Sequence, residues 1–419
     1  MLKICVRQLI IASSLLIMLN CSKDPGVTKS PPNTVVTQET PKTDVEPSPQ
    51  IPDASLHTEA PTSPEPSVDK TSTPTWQTIQ AAGPGPIRSI VRRGDGKLLG
   101  PVASAQSIQL WRSSDEGAKW TFRGSITFDP TVEFGDPMML ALPNGKTIFC
   151  AYREHKNGLW QIKVSRSDDG GDSWVLDSRV VGPVEPFVGA PFLLLASNGD
   201  LQIYYDSELL AKEQGAPGHQ WIAMQGRHGT SGAWDAYGVV VASRIPAQGA
   251  LSREGMATVV SLGEDRLLLV TEGVQPFAEG QGFANEIHAV ESMDGGRTWD
   301  QSLRRTVYRA RLDTKTGRRY NAYVPFALQI GDGPVVVAFC TDENNSGAPD
   351  SPSADVRTRH CNVKYVQTTT DFETWSEPSP IWTGSDRNYT PGLFERSAND
   401  VIVTIDQLGS GMRIMNRSN

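Results

Sequence analysis

Ser113-Ser114-Asp115-Glu116-Gly117-Ala118-Lys119-Trp120, Ser167-Asp168-Asp169-Gly170-Gly171-Asp172-Ser173-Trp174 and Ser292-Met293-Asp294-Gly295-Gly296-Arg297-Thr298-Trp299 are three copies of one pattern, Ser-x-Asp-x-Gly-x-x-Trp. Its chemistry is that of a tight turn. Glycine takes positive φ at no steric cost, the aspartate bonds nearby backbone amides, and the tryptophan packs back beneath. Degenerate copies end at Trp234 and Trp375, so the five tryptophans are 54, 60, 65 and 76 residues apart. That period is too long for a helical solenoid and suits a four-stranded propeller blade with variable loops. Alternating apolar stretches precede the boxes, among them Ser107–Trp111, Gln161–Val164 and Glu286–Val290, and Asn362–Val366 precedes the degenerate copy at Trp375. Each reads as a strand, so each box is a hairpin turn between the two outer strands of a blade.

A second repeat lies upstream of each box: apolar strand, glycine turn, apolar strand. Its second strands are Leu98–Leu99, Thr147–Tyr152, Leu201–Tyr205, Arg266–Thr271, Val335–Phe339 and Val401–Ile405. Six such units predict an all-β, six-bladed propeller over residues 76–419. Trp76–Gln80 is expected to close the ring beside Met412–Met415.

The rest of the chain is organised differently. Lys3, Arg7 and the apolar run Leu9–Leu19 form a signal-like segment too short to span a bilayer, and it ends at Cys21. Residues 22–75 hold 11 of the 30 prolines, 17 Ser or Thr and no aromatic residue, so they read as a disordered, extended linker. The formal charge is −8, without the basic footprint that nucleic-acid binding requires. Six histidines lack zinc-ligand spacing and five cysteines form no CxxC, so no metal and no cofactor is expected. Cys340 and Cys361 bracket a polar loop, where a disulfide is expected, as in a secreted domain. Cys150 reads as a buried thiol.

In a propeller the glycine turns and boxes share one face, and the functional loops belong to the other. There the stretches Arg153–Trp160, Asp206–His219, Glu272–Asn285 and Thr341–His360 read as long loops. The starts of the first strands carry Arg88, Glu133, Asp136, Glu185, Glu254, Tyr320, Tyr323 and Tyr389. Carboxylates converging with arginine and tyrosine suit glycoside chemistry, in which one carboxyl protonates the leaving oxygen and another attacks or activates water.

The boxes resemble those of the sialidase-type superfamily of BNR-repeat propellers. In that superfamily they lie opposite the active site and carry no chemistry. Val184-Glu185-Pro186-Phe187, Asn198–Asp206 and Arg253-Glu254-Gly255-Met256 are similar to glycoside hydrolase family 93 exo-arabinanases. That resemblance implies an exo-acting, retaining hydrolase with Glu185 and Glu254 as acid/base and nucleophile in either order. Arg88, Asp136, Arg153, Asp206, Arg253, Tyr320 and Tyr323 are then expected to bind the carbohydrate. The alternatives are an exo-α-sialidase and a non-catalytic carbohydrate-binding or surface-interaction propeller. Sialidases open the first blade with Arg-Ile-Pro, whereas this chain reads Pro86-Ile87-Arg88. In a sialidase Tyr389 would stand at the nucleophile position. The N-terminus resembles a bacterial lipoprotein signal, which implies lipidation of Cys21 and a tether in the cell envelope, at the outer membrane; the chain is expected to be a monomer.

Overall fold

The apolar stretches beside the glycine turns and boxes are strands in the computed structural model. It describes residues 75–80, 85, 87–243, 251–276, 283–343, 349, 362–368, 371–383, 388–397, 400–407 and 411–418. The expected signal, Cys21 and most of the linker fall outside the described residues, as does Cys361.

The described strands form six four-stranded antiparallel sheets. β1 (Thr75–Gln80) belongs to the last of them. The first comprises β2 (Val91–Arg92), β3 (Leu98–Ser104), β4 (Ser107–Ser113) and β5 (Thr121–Phe128). The second comprises β6 (Glu133–Ala141), β7 (Ile148–Lys156), β8 (Leu159–Ser167) and β9 (Val175–Val184). The third comprises β10 (Val188–Leu195), β11 (Leu201–Ser207), β12 (Trp221–Arg227) and β13 (Gly238–Val241), with helix α1 (Glu208–Glu213) after β11. The fourth comprises β14 (Gly255–Ser261), β15 (Leu267–Pro276), β16 (Phe283–Ser292) and β17 (Arg305–Tyr308). The fifth comprises β18 (Ala322–Gln329), β19 (Val335–Thr341), β20 (Asn362–Gln367) and β21 (Ser379–Trp382). The last joins β22 (Asn388–Ser397), β23 (Asp400–Gln407) and β24 (Gly411–Ser418) to β1, with Trp76 opposite Arg417. The fold is an all-β propeller. First strands of successive blades lie against one another, and Arg92 Nη2 donating to the Arg396 carbonyl links last blade to first.

Burial follows position in the blade. Every residue of β11 and β19 is buried, because second strands are covered on both faces by neighbouring blades. The outer strand β5 is mostly exposed. The stretch Arg153–Trp160 is a correction to the expected long loop. Strands β7 and β8 run through it and meet at Asn157-Gly158, both at positive φ (54° and 76°), the geometry of a tight hairpin.

The three boxes repeat one hydrogen-bond set. In the third, Ser292 Oγ donates to Asp294 at 2.8 Å, Gly296 N–H donates to Ser292 Oγ at 2.8 Å, and Thr298 N–H donates to Asp294 at 2.9 Å. Trp299 Nε1 closes the turn on the Gly296 carbonyl at 3.1 Å. We expect Asp294→Ala to cost roughly 1–3 kcal/mol through these lost bonds. Denaturant unfolding checks the cost. Turnover of the folded fraction should not change.

The first strands share a second device. In five blades their pairing slips between Gly135 and Met138, Gly189 and Phe192, Gly255 and Thr258, Tyr323 and Phe326, and Tyr389 and Gly392. Inside each slip one non-glycine residue has positive φ: Asp136, Ala190, Met256, Val324 and Thr390. Such bulges re-aim the chain and tend to gather at functional sites.

Candidate active site

Across from the start of each bulge stands a residue near the end of the blade's second strand. Those positions hold Arg153, Asp206, Glu272, Cys340 and Asp406, opposite Gly135, Gly189, Gly255, Tyr323 and Tyr389. Five blades thus present register-equivalent groups around one centre.

Carboxylates hold the bulges together. Asp136 Oδ2 accepts Ala190 N–H at 3.4 Å, Asp206 Oδ1 accepts Met256 N–H at 3.0 Å, and Glu272 Oε2 accepts Val324 N–H at 2.5 Å. Each bond runs from one blade to the next bulge and uses one of the two carboxyl oxygens; the second is Oδ2 in Asp206 and Oε1 in Glu272. For Asp206 and Glu272 that second oxygen lies over Gly255. A Cβ there would sit 3.1 Å from Asp206 Oδ2 and 3.5 Å from Glu272 Oε1. Gln220 Nε2 would lie 2.9 Å from the same Cβ, so the missing side chain is what lets two carboxyl groups from adjacent blades and this amide gather over Gly255.

Arginines frame this pair. Arg88 Nη2 donates to the carbonyls of Pro325 at 2.9 Å and Met256 at 3.2 Å, so a guanidinium from the first blade reaches the fourth and fifth. Arg153 Nε donates to Asp136 at 2.8 Å, and its Nη1 lies 3.5 Å from Glu133. The Arg153 guanidinium also lies over Trp160, which stacks on His155 with ring centroids 3.8 Å apart. Gln220 Nε2 reaches Asp206 Oδ2 at 3.4 Å and the Glu254 carbonyl at 2.8 Å.

Burial dominates the electrostatics. It pushes the Asp206 carboxyl well above its usual range, and the nearby Glu272 and Asp136 push it further. The Met256 N–H and Arg88 oppose them more weakly. Asp206 is thus a carboxylic acid that keeps its proton where an ordinary aspartate has lost it. Burial also raises Asp406 to about 6.

Glu185 and Glu254 stand in different surroundings. Glu185 is exposed in the bend between β9 and β10. Glu254 is 0% exposed and binds Arg304 in a fork, with both N–O distances 3.0 Å. Burial raises its carboxyl above the ordinary range, with Arg304 opposing. Arg253 pairs with Glu208 at 2.6 Å beside α1. Tyr320 is buried with Arg311 over its ring, and Tyr323 is buried opposite Cys340. The Tyr389 side chain falls outside the described residues. Cys150 and Cys340 are both buried. Among the described residues no three metal-ligating side chains converge. Glu272 and Gln220 are the groups that sequence reasoning passed over.

No family model matches the chain, and no curated protein matches it. Solved structures do. An α-L-arabinofuranosidase from Fusarium graminearum, in complex with an iminosugar inhibitor, is 16% identical with TM-score 0.57 and covers 84% of this chain and 98% of its own. A Penicillium chrysogenum α-L-arabinanase complexed with arabinobiose is 19% identical with TM-score 0.54, covering 83% and 98%. A Hadza microbial sialidase is 16% identical with TM-score 0.53, covering 81% and 68%. At these identities the likeness is one of fold.

Proposed function

We propose that this chain is an exo-acting glycoside hydrolase of the arabinanase kind, working by retention on a neutral sugar. The observation that carries the proposal is the pair of carboxyl groups, Asp206 and Glu272, meeting over Gly255. Asp206, protonated by its burial, gives its proton to the glycosidic oxygen as that bond breaks. Glu272 attacks the anomeric carbon through Oε1 while Val324 N–H holds Oε2. Water then hydrolyses the glycosyl ester, and the Asp206 carboxylate takes the proton that the water loses. The closeness of the two groups supports retention, for which ~5–5.5 Å is usual, over the ~6.5–9.5 Å of inverting pairs.

The charges support a neutral substrate over a sialic acid. A sialidase clamps its substrate carboxylate with arginines. Here Arg153 is engaged by Asp136 and Glu133, and Arg88 by two carbonyls. The groups facing the sugar are themselves acidic. The arabinan-acting names among similar folds point the same way. The decisive experiment offers aryl arabinofuranosides, arabinan and sialosides, with product configuration followed by NMR. Arabinose released with retained configuration is expected. Cleavage of sialosides alone makes this a sialidase, and binding without cleavage makes it a lectin-like propeller.

For location, the signal-like segment ending at Cys21 supports a lipid anchor in the bacterial envelope. We expect Cys21→Ala to move the protein from the membrane fraction to the soluble one. Wild type recovered wholly in the soluble fraction would refute the anchor.

A further inference from the structure

Side chains stitch neighbouring blades together on the box face. Arg93 of the first blade pairs with Asp172 of the second blade's box at 2.9 Å. Arg227 of the third pairs with Asp177 of the second at 2.7 Å, and Arg305 of the fourth lies 3.3 Å from Glu373 of the fifth. Between the third and fourth blades no such ion pair is present among the described residues. Ala196 stands where Arg93 does, as their turns show: Arg93 N–H bonds the Lys97 carbonyl and Ala196 N–H that of Asp200. Arg297 stands at the box position of Asp172. This seam is tied instead by Ser197 to Asp265 at 2.9 Å, by Gln202 to the Gly295 carbonyl at 2.6 Å and, toward its outer edge, by Gln301 Nε2 donating to the Val240 carbonyl.

The outer part opens as a cavity of about 480 Å³. Its walls include Trp299, Met224 and Val239 on the apolar side, with Asn198, Asp235 and Arg297 on the polar side. Neither the Asp235 carboxylate nor the Arg297 guanidinium has a side-chain partner among the described residues. Arg227 also contributes to the wall and is 2% exposed. Its Nη1 is held by Asp177 and its guanidinium lies over the Phe149 and Trp234 rings, while Nε and Nη2 have no hydrogen-bond acceptor among the described residues.

We propose that this cavity is a second, non-catalytic binding site for a neutral oligosaccharide. Arg297 and Asp235 balance in charge, which disfavours a net anion or cation. Together they donate and accept the paired hydrogen bonds that neighbouring sugar hydroxyls make, and an indole with a thioether beside them covers the C–H faces. The volume lies within the ordinary range for small-ligand sites. The cavity is on the face opposite Asp206 and Glu272, so it holds a polymer near the enzyme without touching the bond being cut. The choice of sugar rests on the function proposed above. The cavity itself does not.

The test is calorimetric titration of the Glu272→Gln protein with arabinotetraose, xylotetraose and galactotetraose. Two sites per chain are expected for at least one of them. Arg297→Ala with Asp235→Ala should weaken one site at least about tenfold, the scale of a lost hydrogen bond to a charged group. The same pair in an otherwise wild-type chain should leave aryl-glycoside turnover and melting temperature unchanged and reduce retention on insoluble polysaccharide. No binding in the Glu272→Gln protein, or binding that the Arg297 and Asp235 substitutions leave unchanged, overturns the proposal. Aryl-glycoside hydrolysis by wild type with binding that the substitutions leave unchanged sinks this inference alone. A saccharide bound here by a protein that hydrolyses nothing keeps it and sinks the hydrolase.

Discussion

Asp206→Asn and Glu272→Gln should each lower turnover on aryl arabinofuranosides by at least about 100-fold, the scale on which a positioned acid or base contributes. Both variants should fold, because each new amide keeps an oxygen for the bulge N–H that the carboxylate now accepts, Met256 for Asp206 and Val324 for Glu272. The wild-type pH profile follows from the same geometry. Asp206 acts while protonated, and burial with two acidic neighbours raises it well above the ordinary aspartate range. Activity is therefore expected to persist into the range where an ordinary aspartate is ionised, and to fall as pH rises through the raised value. Asp206→Asn should abolish that basic limb. Substrates with good leaving groups, which need no proton, should recover most in Asp206→Asn, and azide should rescue that variant alone. Near-wild-type turnover in both variants refutes the pair. A large loss in Glu185→Gln at unchanged stability would return the acid/base role to the exposed carboxylate between β9 and β10.

The propeller was legible because its signal is local. A box needs Ser, Asp, Gly and Trp at fixed offsets to close one turn, and that requirement survives in the sequence around Asp115, Asp169 and Asp294. The site is set by register, which is less visible. Alternate residues of a strand face opposite ways, so one residue decides the face. Glu254 adjoins Gly255 at the start of β14, and the sequence therefore suggests a channel carboxylate. Gly255 is the residue beneath the carboxyl pair, whereas Glu254 bonds Arg304 inside the fourth blade. A bulge at Met256 then shifts the pairing again, which no alternation rule anticipates. A usable signal did exist. Arg153, Asp206, Glu272, Cys340 and Asp406 each directly follow the apolar second strand of a repeat unit, the position at which a buried strand meets the channel. Aligning the units at that point brings Asp206 and Glu272 into the same column.

Glu254→Ala should cost about 3–5 kcal/mol of stability, the range for removing one partner of a buried ion pair. The carboxylate is fully buried and gives both oxygens to Arg304, whose side chain is itself only 15% exposed. Alanine would remove the carboxylate that takes two of that guanidinium's N–H donors. The space is also tight, since any side chain at Gly273 would collide with the Glu254 carboxylate. Arg304→Met should destabilise by a similar mechanism, because it strands the acid. Combining Arg304→Met with Glu254→Ala should cost less than the two single losses added, since neither charge is then stranded. Denaturant unfolding of the four proteins measures this coupling. Glu254→Gln separates structure from chemistry. It keeps the shape and one acceptor for Arg304, so its folded fraction should turn over aryl arabinofuranosides near the wild-type rate with the basic limb in place. Gln220 would still hold the Glu254 backbone carbonyl beneath Asp206, and the pair over Gly255 would stay where it is. A 100-fold loss of turnover in Glu254→Gln, without a change in melting temperature, would instead make Glu254 one of the reacting carboxylates. It would require the Arg304 pair to open when substrate binds.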